Sequence, residues 1–347
     1  MKRALFVTTH PALGGAQKWT YDQITILKNE YEIYFATGSE GWLSQKASPL
    51  CKEVFIDKKL YSFSSIIYLF KLYKFVRSNQ IDIIIASSAN AGIYTRLLKV
   101  LIPSLSVVYV SHGWSSIYRG NRIYQTVERL LSYLSTAILV VSKDDYIKAI
   151  DILEIYPKKL TLIENAIFPY NEDGSVPECS ADMHNIHVVM IARFEYPKRQ
   201  DLLMEAAKEL PYMHFNFIGE GAGLNEAKKY NLPNTTFFGA ISDVETILKK
   251  SDLFMLLSGS EGMPLAVLEA LACAKPMILS DIPSMVGFIN DNGLLVKNDV
   301  NSVVMALKKI QKMNFESMGI NSQKLFNKRF NLNNKKNDYL SFYESLS

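Results

Sequence analysis

The chain reads as α/β, with two Rossmann-like, doubly wound domains in tandem. Short apolar runs alternate with helical apolar periodicities from one end to the other, the pattern of a parallel sheet covered on both faces. Its 347 residues are too many for one typical core and fit two. Between the two series of runs lies PYNEDGSVPECSADMHN, residues 169–185, rich in Pro, Gly, Ser, Asn and acids, which predicts the linker. The expected division is therefore 1–168, linker 169–185 and 186–325, with residues 326–347 as a terminal segment.

Composition narrows the function classes. Hydrophobic content of 48% and charged content of 21% are globular values. No apolar run reaches the roughly 18–20 residues that span a bilayer, and MKRALFVTTHP has too short an apolar run for a signal peptide and reads as a first strand. Cys51, Cys179 and Cys273 are isolated, without C-x-x-C or Cys/His spacing, which argues for a reducing compartment and against disulfides or structural zinc. Charge is uneven. Residues 1–165 hold 20 Lys/Arg against 13 Asp/Glu, and the remainder 18 against 21. The basic half suits an anionic membrane surface or a lipid diphosphate. With no concentrated basic stripe and no nucleic-acid motif, nucleic acid is not expected as a partner.

Arg3 to Thr8 is the first strand, followed by Gly14-Gly15 and a helical pattern through Trp19, Ile24 and Leu27. Glycines between strand and helix let backbone N–H groups approach a ligand, though a plain tight turn accounts for the pair equally well. Glu32–Thr37 and Phe55-Ile56 are the next strands. Within Lys58–Arg77 the pattern predicts a helix with Ile66, Ile67, Leu69, Phe70, Tyr73 and Val76 on a wide apolar face and Lys71, Lys74 and Arg77 on one side, with the cations and aromatics Lys58, Lys59, Tyr61 and Phe63 just before it. Such a helix either covers the sheet or lies on an anionic bilayer. Ile81–Ala86 and Val107–Val110 are strands. The second ends in Ser111-His112-Gly113, which puts His112 beyond a strand's carboxyl end, where ligands bind in parallel sheets. A structural role for a lone His is the competing reading. Arg119 and Arg122 fall in an expected loop. Ala137–Ser142 and Leu160–Ile163 complete the first series.

Ile186–Ile191 opens the second series. Arg193 and Lys198 follow it in one turn, where two cations can clamp a diphosphate and neutralise developing charge, or simply be solvated. Phe215–Ile218 ends in the Gly-rich turn of Gly219 and Gly221. Phe237-Phe238-Gly239 ends a further strand, where Phe238 can meet a base. LSGSEGMPLAVLEALACAKPMILSDIP, residues 257–283, reads as strand, turn, helix, strand. Glu261 lies in the turn with Gly262 and Met263; Pro264 and Leu265 open the helix, and Glu269 lies over one turn in. A helix N-terminus suits a phosphorylated ligand. Two carboxylates there make sense if Glu269 accepts from ribose hydroxyls and Glu261 from sugar hydroxyls. A surface Glu and an ordinary helical Glu are the plainer alternative. After Leu294–Val296, helical patterns run from about Asn301 to Met313 and from Asn333 to Leu346.

EGMPLAVLEALACAKP resembles the EG-x-P-x4-EA-x-A-x3-P signature of the GT-B glycosyltransferases of family 4. Ala274 stands where the family usually has Gly, and the loop SDIPSMVGFINDNG is shorter than in many members. SSANAG followed by SHGW resembles a subset acting in bacterial polysaccharide assembly (O-antigen, capsule, exopolysaccharide). The resemblance implies a GT-B fold with two domains facing across a cleft and a terminal helix returning to the first. It implies a retaining hexosyltransferase in which His112 contacts the donor sugar, Gly14 and Gly15 face donor phosphate and acceptor, and Arg193 and Lys198 form the R-x4-K pair. It also implies a nucleotide-sugar substrate and, together with the basic half, an undecaprenyl-diphosphate-linked oligosaccharide acceptor; the residues do not separate UDP from GDP, and a UDP-sugar is the expected donor. The expected location is cytoplasmic, peripheral on the inner face of the bacterial plasma membrane through the basic domain.

The Asp-x-Asp motif that holds a divalent metal in many such enzymes is absent, so transfer without metal or other cofactor is expected, with Arg193, Lys198, the backbone near Gly15 and the helix mouth after Gly262 meeting the charge. No residue is an obvious nucleophile, which points to a front-face mechanism. Domains around a cleft predict closure on donor binding. Two other classes compete: a sugar-nucleotide 2-epimerase on the same plan, and a non-catalytic scaffold of a membrane assembly complex.

Overall fold

Strand order is what positions the site. A computed structural model describes residues 1–114, 117, 122–170 and 185–346, and divides into two units, Met1–Asn165 with Asn334–Ser347, and Ala166–Asn333. Most of the expected linker, Cys179 and Arg119 lie outside the described residues.

In the first unit, β1 (Lys2–Thr8), β2 (Tyr31–Thr37), β3 (Glu53–Ile56), β4 (Ile83–Ala86), β5 (Ser106–Ser111), β6 (Ala137–Val140) and β7 (Leu160–Leu162) form a parallel sheet in the order β3-β2-β1-β4-β5-β6-β7. β1, β4 and β6 are buried almost throughout, as central strands covered on both faces must be. Helices α1 (Gly15–Leu27), α2 (Trp42–Ala47), α3 (Ile66–Ser78), α4 (Ala89–Leu101), α5 (Arg122–Ser132) and α6 (Lys143–Asp151) connect the strands. Right-handed crossovers put α1 and α2 on one face and α3 to α6 on the other.

The residues expected just before the helix form a 3₁₀ turn, Lys58–Tyr61, and α3 starts at Ile66, with the Ser65 hydroxyl capping the Tyr68 N–H. The Ser65 N–H donates to the Tyr94 hydroxyl at 2.7 Å, which fixes the entry. The buried side of α3 is then Tyr68, Leu72, Phe75 and Val76, and Ile66, Ile67 and Phe70 face solvent. Arg122 is not in a loop but heads α5.

The second unit holds β8 (His187–Ile191), β9 (His214–Ile218), β10 (Thr235–Gly239), β11 (Leu253–Leu256), β12 (Met277–Ser280) and β13 (Gly293–Val296), parallel, in the order β10-β9-β8-β11-β12-β13. Its helices are α7 (Gln200–Glu209), α8 (Leu224–Lys228), α9 (Val244–Lys250), α10 (Leu265–Ala272), α11 (Pro283–Val286), α12 (Val300–Ile310) and α13 (Phe315–Leu325). After five π-helical residues, Phe326–Phe330, comes α14 (Leu332–Glu344). Its residues from Asn334 belong to the first unit, where Tyr339 and Tyr343 are fully buried and the Tyr343 hydroxyl donates to Gln23 of α1 at 3.1 Å. No helix of the described residues is long and apolar enough to cross a membrane.

Candidate functional site

In each sheet the strand order reverses once, between β1 and β4 and between β8 and β11, and at such a point the two following loops part and leave a crevice. In the second unit the loops are residues 192–199, after β8, and 257–264, after β11. They are stitched together by backbone. Arg199 N–H donates to the Leu257 carbonyl at 2.9 Å, Gly259 N–H to the Pro197 carbonyl at 2.8 Å, and Lys198 and Ser258 pair as an antiparallel bridge. Ser258 is anchored from below, its N–H donating to the Ser280 hydroxyl at 2.8 Å and its carbonyl accepting from Asn298 at 2.9 Å.

This stitching brings Lys198 and Glu261 together. The Lys198 ammonium donates to Glu261 Oε1, and both side chains are largely sequestered, at 17% and 10% exposure. Arg193 is on the same loop but not in the pair: its guanidinium is 77% exposed and faces Glu195 at 3.6 Å. The two cations are thus unequal, one held by a carboxylate and one open to solvent.

Gly219 and Gly221 have a backbone reason to be glycine. Both adopt left-handed φ, +139° and +145°, and a Cβ would stand 2.1 Å from the Ala192 carbonyl oxygen and 2.7 Å from that of Phe194. They let the loop after β9 press against the Arg193 loop, where Phe194 N–H donates to the Glu220 carbonyl at 2.8 Å. Phe238, at the end of β10, is 39% exposed. Pro264 is the residue before α10, with extended φ and ψ, and not its first turn. Gly262 and Met263 are half-buried in the turn ahead of it. Leu265 is buried in the core, so only its backbone can face a ligand, while Glu269 is buried on the helix. No acidic side chain occupies the first turn of α10 and no side chain caps it, although Val267 N–H donates to the Pro264 carbonyl at 3.1 Å, so the helix's positive end is left for an anion.

In the first unit hydroxyls join the loop after β4 to its neighbours: Thr9 N–H, after β1, donates to Ser88 Oγ at 2.9 Å, and Thr20 of α1 and Ser87 share a hydrogen bond of 2.9 Å. Gly14 precedes α1 in an extended conformation and Gly15 begins it, again with no acid in the first turn. His112 follows β5. Its Nε2 is buried without a hydrogen-bond partner, its ring meets Trp19 edge-on at 5.0 Å, and burial pushes its imidazole down to about 4, so it is neutral at pH 7. The buried hydroxyls of Thr8, Thr37 and Ser111 are orphaned too, at the carboxyl ends of β1, β2 and β5. Sequence reasoning passed over these three; the signal was a hydroxyl residue closing an apolar strand. A neutral imidazole, with unpaired hydroxyls at the same carboxyl edge of the sheet, can hydrogen-bond a polyhydroxylated ligand at no charge-desolvation cost.

Two family models match the chain, "Glycosyltransferase Family 4" over residues 13–169 and "Glycosyl transferases group 1" over residues 180–325. The chain is 35% identical to the O-antigen biosynthesis glycosyltransferase WbnH of Escherichia coli, over 89% of this chain and 90% of that one. It is 27% identical to the UDP-Gal:alpha-D-GlcNAc-diphosphoundecaprenol alpha-1,3-galactosyltransferase of Escherichia coli, over 86% and 83%. Among solved structures, Anabaena HepE in complex with UDP and glucose superposes with a TM-score of 0.85 at 16% identity, covering all of both chains.

Proposed function

This chain belongs to the group 1, family 4 glycosyltransferases, and we propose that it moves a hexose from a UDP-sugar to a lipid-diphosphate-linked saccharide in O-antigen-type polysaccharide assembly, with retention and without a metal ion. The observation that carries this reading is the Lys198–Glu261 pair at the β8/β11 reversal, beside the open N-terminus of α10. A lysine at that crevice can meet a diphosphate oxygen, and the carboxylate that holds it can accept a sugar hydroxyl. Glu269 takes the ribose hydroxyls, Arg193 turns onto the diphosphate when it is present, and His112 meets the sugar. The relatives lend the substrate class: one is named for UDP-Gal and a diphosphoundecaprenol acceptor, and HepE was crystallised with UDP and glucose.

In this mechanism the bond from the anomeric carbon to the diphosphate oxygen breaks, and the acceptor oxygen bonds that carbon on the same face. The acceptor's proton passes to the leaving phosphate oxygen. Lys198, Arg193 and the N–H groups opening α10 meet the charge that builds on the nucleoside diphosphate.

Incubation with a panel of UDP- and GDP-sugars, with and without a short-chain lipid-diphosphate saccharide and with and without EDTA, tests the reading. Sugar transfer to the acceptor with an α product from an α donor is expected, undiminished by EDTA. Donor epimerisation without acceptor, or no reaction, would replace it with one of the two competing classes. An inverted product or loss of activity in EDTA would remove the corresponding part of the mechanism.

A further inference from the structure

Arg96 of α4 is a buried charge whose cost the fold alone does not explain. Its side chain has no exposed surface, and its partner Glu128 of α5 is 12% exposed. An ion pair sequestered this far gives little stability that well-packed apolar residues would not, so its presence needs a geometric reason. The geometry is a fork. Arg96 Nε donates to the Gly92 carbonyl at 2.8 Å, and both terminal nitrogens donate to the Glu128 carboxylate, so the guanidinium plane is held in one orientation. Its central carbon lies 4.2 Å from the centre of the Tyr109 ring on β5. Gly92 makes room for this stack: a Cβ there would stand 2.5 Å from the Tyr109 ring and 3.2 Å from Arg96 Nη2. A glycine inside a helix and a charge inside a core both oppose stability, and such local exceptions gather where a chain does more than fold.

The stack leads to the turn that carries His112. Tyr109 also meets the Trp114 ring, with centres 6.2 Å apart. Trp114 is buried, and its indole N–H donates at 2.8 Å to the carbonyl of Asp145, in the first turn of α6. Between the two rings the chain runs Val110-Ser111-His112-Gly113, and Gly113 turns it back at a left-handed φ of +114°. His112 thus rides on a short span pinned at both ends, by Tyr109 and by Trp114. Gly92 ends the SSANAG segment and Trp114 the SHGW segment, so the stack gives both residues a role that needs no contact with a ligand.

We propose that Arg96 is a positioning residue: through Tyr109 and Trp114 it sets where the His112 imidazole stands, without itself touching substrate. The effect on turnover rests on the sugar transfer proposed above; the placement of His112 does not. The double variant Arg96→Met/Glu128→Leu replaces the ion pair with apolar side chains and leaves no charge unpaired. Measured in the full chain as a cycle with His112→Gln, it tests the proposal. A melting temperature at or above wild type is expected, with kcat lowered about tenfold or more and KM raised by less. The imidazole NMR signals of His112, assigned by their loss in His112→Gln, should be displaced. Added to His112→Gln, the double replacement should lower kcat no further, whereas a pair that only supports the fold would add its own loss. Wild-type kcat in the folded double variant, additive losses, or unmoved His112 signals would overturn the proposal. If the double variant does not fold, Trp114→Phe keeps a ring but loses the bond to Asp145, and the same cycle with that variant decides. Displaced His112 signals in the variant, from a wild type that transfers no sugar, would uphold the positioning and overturn the functional reading instead.

Discussion

Lys198 and Glu261, 63 residues apart, form an ion pair across the two loops where the second sheet reverses its strand order. Each is thereby fixed by the other, and each has a structural as well as a chemical duty. Lys198→Ala and Glu261→Ala should each lower kcat by a hundredfold or more, about 3 kcal/mol, the scale of one oxyanion donor. Each should also lower the melting temperature, because a sequestered charge loses its partner. The double variant Lys198→Met/Glu261→Leu separates the two duties: stability should return while turnover stays lost. Steady-state kinetics beside calorimetry decide it, and double-variant activity near wild type would refute the assignment.

His112 and Asp145 should give the first unit opposing pH dependences. Burial holds His112 down at about 4, below the usual 6.5, so its contribution is full above about pH 6.5 and is lost as pH falls towards 4. Burial pushes the Asp145 carboxyl up to about 6 from 3.8, so its contribution is full below about pH 3.8 and is lost as pH rises through 6. Asp145 also accepts from the Ser142 hydroxyl at 2.8 Å, a bond that Asn can replace. In melting curves from pH 4 to 7, His112→Gln should flatten the loss towards acid, and Asp145→Asn should gain on wild type as pH rises. Effects on the order of 2–3 kcal/mol are expected across the window. Parallel curves for all three proteins would show that neither group titrates as its burial implies.

Apolar runs made the strands legible, because central parallel strands are apolar on both faces: Ile83–Ala86 and Leu253–Leu256 stand out in the bare sequence. The terminal helix was legible from Tyr339, Phe342 and Tyr343. Other features depended on tertiary contacts that no local pattern encodes. The pairing of Lys198 with Glu261 requires two loops to meet. Which side of α3 is buried depended on Tyr94, from another helix. The wide apolar face of α3 was legible as a pattern, but its period could not tell core from bilayer, and Ile66 and Phe70 proved exposed. The start of α5 was missed, because Arg119 and Arg122 read as a loop and Arg122 proved to head the helix.

Ala274→Gly should stabilise the second unit. α10 ends in a Schellman motif: Lys275 N–H donates to the Ala270 carbonyl and Ala274 N–H to that of Leu271, both at 3.0 Å. That geometry puts Ala274 at φ +54°, a left-handed conformation that a Cβ disfavours. The chain thus has Ala where its backbone asks for Gly. Replacement should gain about 1 kcal/mol, less a little for the lost methyl contact. A melting temperature raised by about 2–4 °C is expected; an unchanged or lower value would mean that the buried methyl outweighs the strain.

Tyr339→Phe tests how the terminal helix is held. The Trp19 indole N–H donates to the Tyr339 hydroxyl at 3.3 Å, inside a site where both residues are essentially unexposed, and the Trp19 ring meets His112 edge-on. Removing the hydroxyl leaves a buried donor without that acceptor, at a cost of about 1–3 kcal/mol, while the ring's packing is kept. Tyr339→Leu removes the ring as well and should cost more, by the loss of aromatic contact and the cavity left behind. If the terminal helix also steadies His112 through Trp19, both variants should lower kcat more than they raise KM. Stability lost with kcat unchanged would confine the contact to holding the fold. Neither lost would mean that α14 is anchored elsewhere, with Tyr343 and Gln23 the next pair to remove.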